Sequence, residues 1–333
     1  MKQLSIIVPV YNVEKYIRSC LESIYRQGLT EDCYEVIIVN DGTMDNSMEV
    51  IKDIVSQHTN IKIINQKNQG LSVARNNGIK KASGDYILFV DSDDLIVENC
   101  LSSLLMEVIK SNADLFVTDF IRMEDEEINK YLNNPCLHYN YDIQEKTGKT
   151  LFMEDLNPRE CYVWRTIYSR KFLVNNNIKY VPSICFEDIP FTHECYLKAG
   201  KCLKTHYPMY IYRIGNASIT KKINKKTGKD FGTAIAKTWE LRQLDGLSSE
   251  IKEKLCDNVF AALSVLLYAI IYDIQDFSDK KDVIRYLKDT APDLHFKHGI
   301  KQNIVNFLFQ NLPYAYISIR SLFVKLSKYF LRH

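Results

Sequence analysis

Residues 86–94 read YILFVDSDD. Aromatic and apolar side chains that suit a strand run straight into three carboxylates, Asp91, Asp93 and Asp94. Like charges this close repel one another unless something positive sits among them. Carboxylate oxygens are hard ligands suited to Mg²⁺ or Mn²⁺, and such an ion keeps several waters and also binds substrate phosphates. A D-x-D spacing after a strand therefore fits a metal–diphosphate bridge. The other use of such residues is capping, because an acidic side chain complements the positive end of a helix. Asp94 is expected to serve in that way for a helix predicted to start near residue 97.

Outward from this stretch, short strand-like runs alternate with helical patterns over the first 120 residues. LSIIV (4–8), YEVIIV (34–39), IKII (61–64) and DLFVT (114–118) join YILFV (86–90) as strands, and such near-continuous apolar runs suit strands covered on both faces. Between them Val13, Tyr16, Ile17, Cys20, Leu21 and Ile24 recur at helical spacing, as do Met48, Ile51, Ile54 and Val55, and Leu101, Leu104, Leu105 and Val108. Strand–helix–strand units of this length imply an α/β fold with a mostly parallel sheet and right-handed crossovers. Residues 121–160 are polar without a strong period and predict a loop or a short helix. Residues 161–220 return to mixed aromatic and polar sequence, and from about 230 the pattern is helical.

Composition sets bounds. The 333 residues are 46% hydrophobic and 25% charged with a formal net charge of +2, the profile of a soluble globular protein without a bulk field for nucleic acid. The nine cysteines form no CxxC pair and read as free thiols in a reducing compartment. MKQLSIIVPVYN has neither the apolar length nor the small-residue cleavage site of a signal peptide. The longest apolar stretch, FAALSVLLYAIIY at 260–272, is short for a bilayer and predicts a buried helix. The expectation is a cytoplasmic protein with no membrane span.

In an open parallel sheet, ligands bind beyond the carboxyl ends of the strands. The segments there are PVYN after the first strand, NDGTMDNS after the second, and DSDD after YILFV, with NQGLSVARNNGI preceding it. Asp41 suits either a turn before Gly42 or a hydrogen bond to a base or ribose. Arg75 could reach a phosphate or a base carbonyl, or form a surface ion pair. Further on, CFEDIPFTHECYLKAG sets Glu187 and Asp188 among aromatic residues. Desolvation there would make a better proton acceptor, and a helix N-terminal turn before Pro190 is an equal reading. His193 is more often structural in such a setting than a metal ligand. YIYRIGNASIT (210–220) brings Arg213 beside Ser218 and Thr220, either an oxyanion-facing loop or a turn.

Taken together, SIIVPVYN, VIIVNDGTMDNS, NQGLSVARNNGI, YILFVDSDD and FEDIPF, in this order and spacing, resemble the family 2 glycosyltransferases, inverting enzymes of the GT-A fold. The resemblance covers about 1–120 strongly and 160–220 moderately. It implies a GT-A domain over 1–225, with a nucleotide-binding half (1–120) and an acceptor-binding half (121–225), followed by a helical region at 226–333. It also implies roles. Pro9, Tyr11 and Glu14 would line the nucleotide pocket, Asp41 would bind the base, and Arg75, Asp91 and Ser92 would hold the rest of the nucleotide sugar. Asp93, with Asp91, would bind Mn²⁺ or Mg²⁺. Asp188 would be the catalytic base, with Trp164, Glu187, His193 and Arg213 around the acceptor. Many relatives carry Gly before the ED pair, where this chain has Phe186, which puts the shape of the acceptor pocket in question. The partners implied are a nucleotide-sugar donor, most of all a UDP-sugar, and a glycan or lipid-linked acceptor in surface polysaccharide synthesis.

From Leu294 to His333 there is no Asp or Glu, and Lys297, Lys301, Arg320, Lys325, Lys328 and Arg332 are interleaved with aromatic residues. Such a tail suits either an anionic membrane surface or packing on the catalytic domain. Two other classes are open: a nucleotide-sugar-binding protein without turnover, and a nucleotidyltransferase. The second would need a Gly-rich, basic loop after the first strand, which PVYN is not.

Overall fold

The computed structural model describes residues 2–135, 142–215 and 222–296, together with 309, 311, 314, 315 and 318. The chain forms two compact units. One gathers Met1–Leu156, Tyr162–Ser183 and Glu194–Asn216, and the other Asn157–Cys161, Ile184–His193 and Ala217–His333.

The first unit is built on one sheet of nine strands: β1 (Leu4–Val10), β2 (Tyr34–Asn40), β3 (Ile61–Asn65), β4 (Tyr86–Phe89), β5 (Leu95–Ile96), β6 (Leu115–Met123), β7 (Gln144–Lys146), β8 (Thr166–Ser169) and β9 (Cys202–Arg213). They lie in the order β3-β2-β1-β4-β8-β6-β9-β5, with β7 also on β9. Most of the ladder is parallel, through β3-β2-β1-β4 and β6-β9, while β8 runs antiparallel to both β4 and β6. The helices against it bury the stripes their spacing predicts. Ile17–Tyr25 turns Ile17, Cys20, Leu21 and Ile24 inward, and Leu101–Ser111 turns in Leu101, Leu104, Leu105 and Val108.

The strand order reverses at β1, so the crevice between the carboxyl ends of β1 and β4 is the topological switch point. Pro9 helps to open it. Asp41 N–H bonds to Val10 O on the β2 side, and Val90 N–H bonds to Ile7 O on the β4 side. By strand alternation Pro9 faces β4, and its missing N–H falls just where the β1–β4 ladder ends. Pro9 itself is buried.

Some of these expectations change. The helix after YILFVDSDD begins at Leu101, not near 97, so Asp94 caps no helix; a two-residue strand, β5, and a left-handed Asn99 intervene. The helix over 48–55 is confined to Lys52–Gln57. In the polar stretch 121–160 the short-helix alternative holds, because Glu124 and Glu127 form a capping box that starts a helix at Asp125–Asn133. Gly148–Glu154 follows as a second helix.

The second unit is helical, with Lys225–Glu240, Ser249–Tyr272 and Phe277–Thr290. The apolar stretch at 260–272 is the end of a 24-residue helix, long and apolar enough to cross a membrane by length and composition, with 56% of its apolar window buried. The cysteines among the described residues are free, as expected. Lys297, Lys301, Arg320, Lys325, Lys328 and Arg332 of the tail lie outside the described residues.

A buried carboxylate ties the sheet together. Glu35, near the start of β2, accepts from Ser5 Oγ (2.6 Å), Ser83 N (2.6 Å) and Ser83 Oγ (2.9 Å), and pairs with Lys62 Nζ at 2.5 Å. Burial opposes its charge, but the ion pair and these donors outweigh it and lower its pKa from 4.5 to about 2. The stability it contributes is therefore present above pH 4.5 and is lost as the pH falls through about 2. Glu35→Gln should cost about 2 kcal/mol in urea unfolding at pH 7. The difference from wild type should shrink below pH 4.5; a gap that is constant with pH would exclude this account.

Candidate active site

On the rim of the first unit, the loops after β1 and β2 are stitched together. Asn12 N donates to Thr43 Oγ1 (2.8 Å), Val13 N to Ser47 Oγ (2.9 Å) and Glu14 N to Asp45 Oδ2 (2.9 Å). Glu14 returns the favour by accepting from Asn46 N at 3.0 Å, so its carboxylate is engaged in the loop pair. Tyr11 stands 38% exposed beside it.

Asp41 is only 3% exposed. Its oxygens accept from Gln66 Nε2 (2.7 Å), Gln69 N (2.9 Å) and Gly70 N (2.9 Å). It shapes the 66–70 loop instead of offering an open carboxylate. Gly42 makes that closure possible, since it takes φ +69° and a Cβ there would meet Asn68 N at 3.0 Å.

The three carboxylates after β4 have three different surroundings. Asp91 accepts from Arg75 Nη2 at 2.6 Å, and Arg75, 2% exposed, lies 5.3 Å from the Tyr180 ring centre. Asp94, 1% exposed, accepts from Tyr210 Oη (3.0 Å) and Arg213 N (2.7 Å). Burial, reinforced by the charges of Asp93 and Asp91, pushes its pKa well above the usual carboxylate range. Asp93 is half-buried, and among the described residues its carboxylate receives no side-chain hydrogen bond, while its carbonyl accepts from Arg213 Nε at 2.7 Å. Burial first, then the charge of Asp91, raises the Asp93 pKa. Ser92 between them is buried at 6% exposure.

Two expected acceptor residues are internal. Arg213 is 7% exposed, held by Asp93, by an ion pair with Asp125 and by the face of Tyr16. It braces the acidic turn and does not face outward. Its expected companions Ser218 and Thr220 lie outside the described residues. Trp164 is 3% exposed, with its ring stacked on Tyr210 (4.1 Å) and Tyr162 (4.7 Å). It supports Tyr210, which the sequence reading missed. Tyr210 Oη accepts from Asp91 N and donates to Asp94, joining the two at 3.0 Å each. The period-two alternation of Tyr210 and Tyr212 in β9 was the available signal.

Glu187, Asp188 and His193 fall in the second unit, on and just before the helix Asp188–Lys198. The expected N-terminal turn is present, with Pro190 in the first turn where its missing N–H costs nothing. Glu187 is 6% exposed and Asp188 is half-buried. Asp188 is close enough to the buried Cys161 to add to the upward shift that burial gives the thiol. His193 is no metal ligand here. Nδ1 lies 2.8 Å from Ile189 O and Nε2 3.2 Å from Asn258 Nδ2, which sets the neutral tautomer with Nδ1 as donor. Burial lowers its pKa to about 4.

The glycosyl transferase family 2 profile matches residues 5–172. The chain belongs to this family. It is similar to the uncharacterized glycosyltransferase EpsJ of Bacillus subtilis, with 34% identity over 66% of this chain and 63% of that protein. It is also similar to a poly(ribitol-phosphate) beta-glucosyltransferase of Bacillus spizizenii, with 29% identity over 60% of this chain and 30% of that one. The chain thus spans less than two thirds of either relative's length. Among solved structures it shares its fold with S. aureus TarS 1-349 in complex with UDP-GlcNAc, at a TM-score of 0.69 and 20% identity over 96% of this chain and 88% of that one. This family 2 glycosyltransferase therefore has the GT-A fold expected of it.

No three His, Cys, Asp or Glu side chains among the described residues form a closed metal cage. The acidic turn fits a different kind of ion, one that keeps waters and substrate phosphates and takes only one or two protein carboxylates. Asp93, half-buried and without a side-chain hydrogen bond among the described residues, would be the carboxylate to hold it.

The Arg75–Asp91 pair tests how the turn is held. Arg75→Ala leaves a carboxylate of 26% side-chain exposure without its ion partner and should cost about 3 kcal/mol in urea unfolding. Adding Asp91→Ala should recover part of that loss, and strictly additive losses would mean that the pair is not coupled.

Proposed function

We propose that the protein is an inverting, divalent-metal-dependent glycosyltransferase. It moves a sugar from a nucleotide sugar, most of all a UDP-sugar, to a hydroxyl of a glycan or lipid-linked acceptor in surface polysaccharide synthesis. The observation that carries this reading is the Asp93 carboxylate, half-buried at the carboxyl end of β4 beside the switch point of the sheet, with no side-chain hydrogen bond among the described residues. The UDP-GlcNAc bound by TarS supports the donor class. The poly(ribitol-phosphate) beta-glucosyltransferase supports a surface polymer as acceptor.

In this reading Asp93 and the Arg75-oriented Asp91 hold Mn²⁺ or Mg²⁺ together with the donor. The ion would supply neutralisation of the charge that gathers on the departing diphosphate. Tyr11 offers an exposed ring at the nucleotide end, and Asp41 keeps the 66–70 loop in shape. Asp188 removes the proton from the acceptor hydroxyl. The hydroxyl oxygen bonds to the anomeric carbon from the face opposite the diphosphate, whose bond to that carbon breaks, so configuration inverts. The burial of Glu187 and the neighbouring aromatic rings favour a proton acceptor there.

A screen of nucleotide sugars for Mn²⁺-dependent release of nucleoside diphosphate tests this. Asp93→Asn should weaken metal-dependent nucleotide binding at least tenfold. Asp188→Asn should leave binding within about twofold of wild type while lowering turnover by 10² or more, the scale of general base catalysis. Near wild-type transfer by Asp188→Asn would remove the base assignment.

The reading extends to a place on the inner face of the cell membrane. The acid-free sequence from Leu294 onward supports this. So do Tyr268 (60% exposed) and Tyr272 (39%), stacked at 4.2 Å on the outside of Ser249–Tyr272. The full chain should float with vesicles containing anionic lipid at low salt, and a chain ending at residue 293 should float less. Equal flotation of the two would assign no membrane role to the tail.

A further inference from the structure

Phe186 stands in the left-handed region, at φ +66°. The other non-glycine residues with positive φ among those described are Asn12, Asn99, Asn112, Asn177 and Ser183. All five are small and polar, and Asn in particular tolerates that region by bonding to its own backbone. A bulky aromatic residue there is an outlier, held only where its surroundings over-determine it.

Those surroundings are visible within the second unit. The Phe186 ring stacks on Phe231, with centroids 4.2 Å apart and planes 18° apart, and Phe231 is 3% exposed in Lys225–Glu240. One residue earlier, Cys185 N donates to Asp230 Oδ2 at 3.3 Å, and Lys226 Nζ steadies the same oxygen at 3.2 Å. Two successive residues of the turn are thus pinned to two successive residues of one helix. One residue later, Phe186 O accepts from Ile189 N at 3.3 Å, closing the turn from which Glu187 and Asp188 project. If Phe186 relaxed to negative φ, the peptide after it would rotate and carry both carboxylates with it.

We propose that Phe186 is a positioning residue: its left-handed backbone, clamped by the Phe186–Phe231 stack, fixes the direction of the Asp188 carboxylate. This rests on the assignment of Asp188 as the base. Phe186 itself touches no reacting atom. Its ring holds a backbone state that its own Cβ disfavours, and the two effects can be separated by substitution. Glycine removes both the ring and the penalty. Alanine removes the ring and keeps the penalty. Tyrosine keeps the ring.

The test compares Phe186→Gly, Phe186→Ala, Phe186→Tyr and Phe231→Ala in the full chain. The readouts are kcat and acceptor KM with the sugar nucleotide the wild-type protein turns over, nucleotide Kd, and Tm. Phe186→Ala and Phe231→Ala should lose tenfold or more in kcat, with nucleotide Kd and acceptor KM within twofold of wild type. Phe186→Tyr should keep most of kcat. Phe186→Gly should exceed Phe186→Ala at least threefold in kcat and also in Tm, since only glycine takes positive φ freely. Equal kcat for the glycine and alanine variants, or wild-type kcat in Phe186→Ala with only Tm lowered, would leave Phe186 as packing and overturn the proposal. If Asp188→Asn is inactive in the same assay, that failure belongs to Phe186 alone. If Asp188→Asn transfers at the wild-type rate, the base assignment and this proposal fall together.

Discussion

Three carboxylates within four residues at the end of a strand cannot all be charged and buried alike, and the way their charge is apportioned organises the rim of the first unit. Asp91 is given a cation, the inward-facing Arg75 of the helix Leu71–Lys81. Asp94 is buried and satisfied by hydrogen bonds from Tyr210 and from the backbone of Arg213. Asp93 has no side-chain hydrogen bond among the described residues, and burial and then the charge of Asp91 raise its pKa. With two of the three engaged by the protein, Asp93 is the carboxylate that the proposed reading leaves for an external cation. A ligand set complete without substrate would bind the ion tightly but leave it few positions for a diphosphate. The incomplete set suits an ion shared with the substrate.

The sheet supplies the place for that imbalance. The β1–β4 ladder ends at Val90 because the next donor on β1 would be the nitrogen of Pro9, so the chain is released into the acidic turn at the switch point. Support comes from strand β9, far along the sequence. Tyr210 ties Asp91 to Asp94, Arg213 braces the carbonyl of Asp93, and Trp164 stacks behind Tyr210. Arg213 and Trp164, expected around the acceptor, are thus part of the frame that keeps the like charges in place.

What was legible in the sequence follows from the range of the interactions. The strands and most helices of the first 120 residues were readable because their period is local and their buried stripes fall on it, as in Ile17–Tyr25. The acidic turn was readable as a cluster, but not the separate fates of its members. Asp94 could be taken for a helix cap because its true partners, Tyr210 and Arg213, lie well over a hundred positions away. Asp41 stayed open between a turn and a base or ribose contact because the backbone donors that occupy it become neighbours only on folding. The polar stretch 121–160 could be read as a loop or a short helix but not decided between them, because the N-cap of Asp125–Asn133 is a glutamate instead of the more usual Ser, Thr, Asp or Asn. The grouping of 157–161 and 184–193 with the C-terminal helices has no compositional mark at all. It rests on pairings such as Phe186 with Phe231, and His193 with Asn258.

The same distinction of range bears on which parts of such an enzyme are free to vary. A carboxylate turn at a strand end is fixed by electrostatics and by the sheet, and few side chains can replace Asp91, Asp93 or Arg75 without leaving a charge unpaired. The turn before Asp188 is held differently. It depends on a ring stack and a single backbone hydrogen bond to one helix, interactions that tolerate exchange of one apolar contact for another. A left-handed residue there can be reached through glycine, at no steric cost, or through a larger side chain that a partner clamps. The clamped form is less mobile, because leaving the left-handed state breaks the stack as well as rotating the backbone. A chain that uses Phe186 in place of glycine has therefore exchanged backbone freedom beside its carboxylate pair for a fixed direction, with an aromatic surface next to it that glycine could not provide.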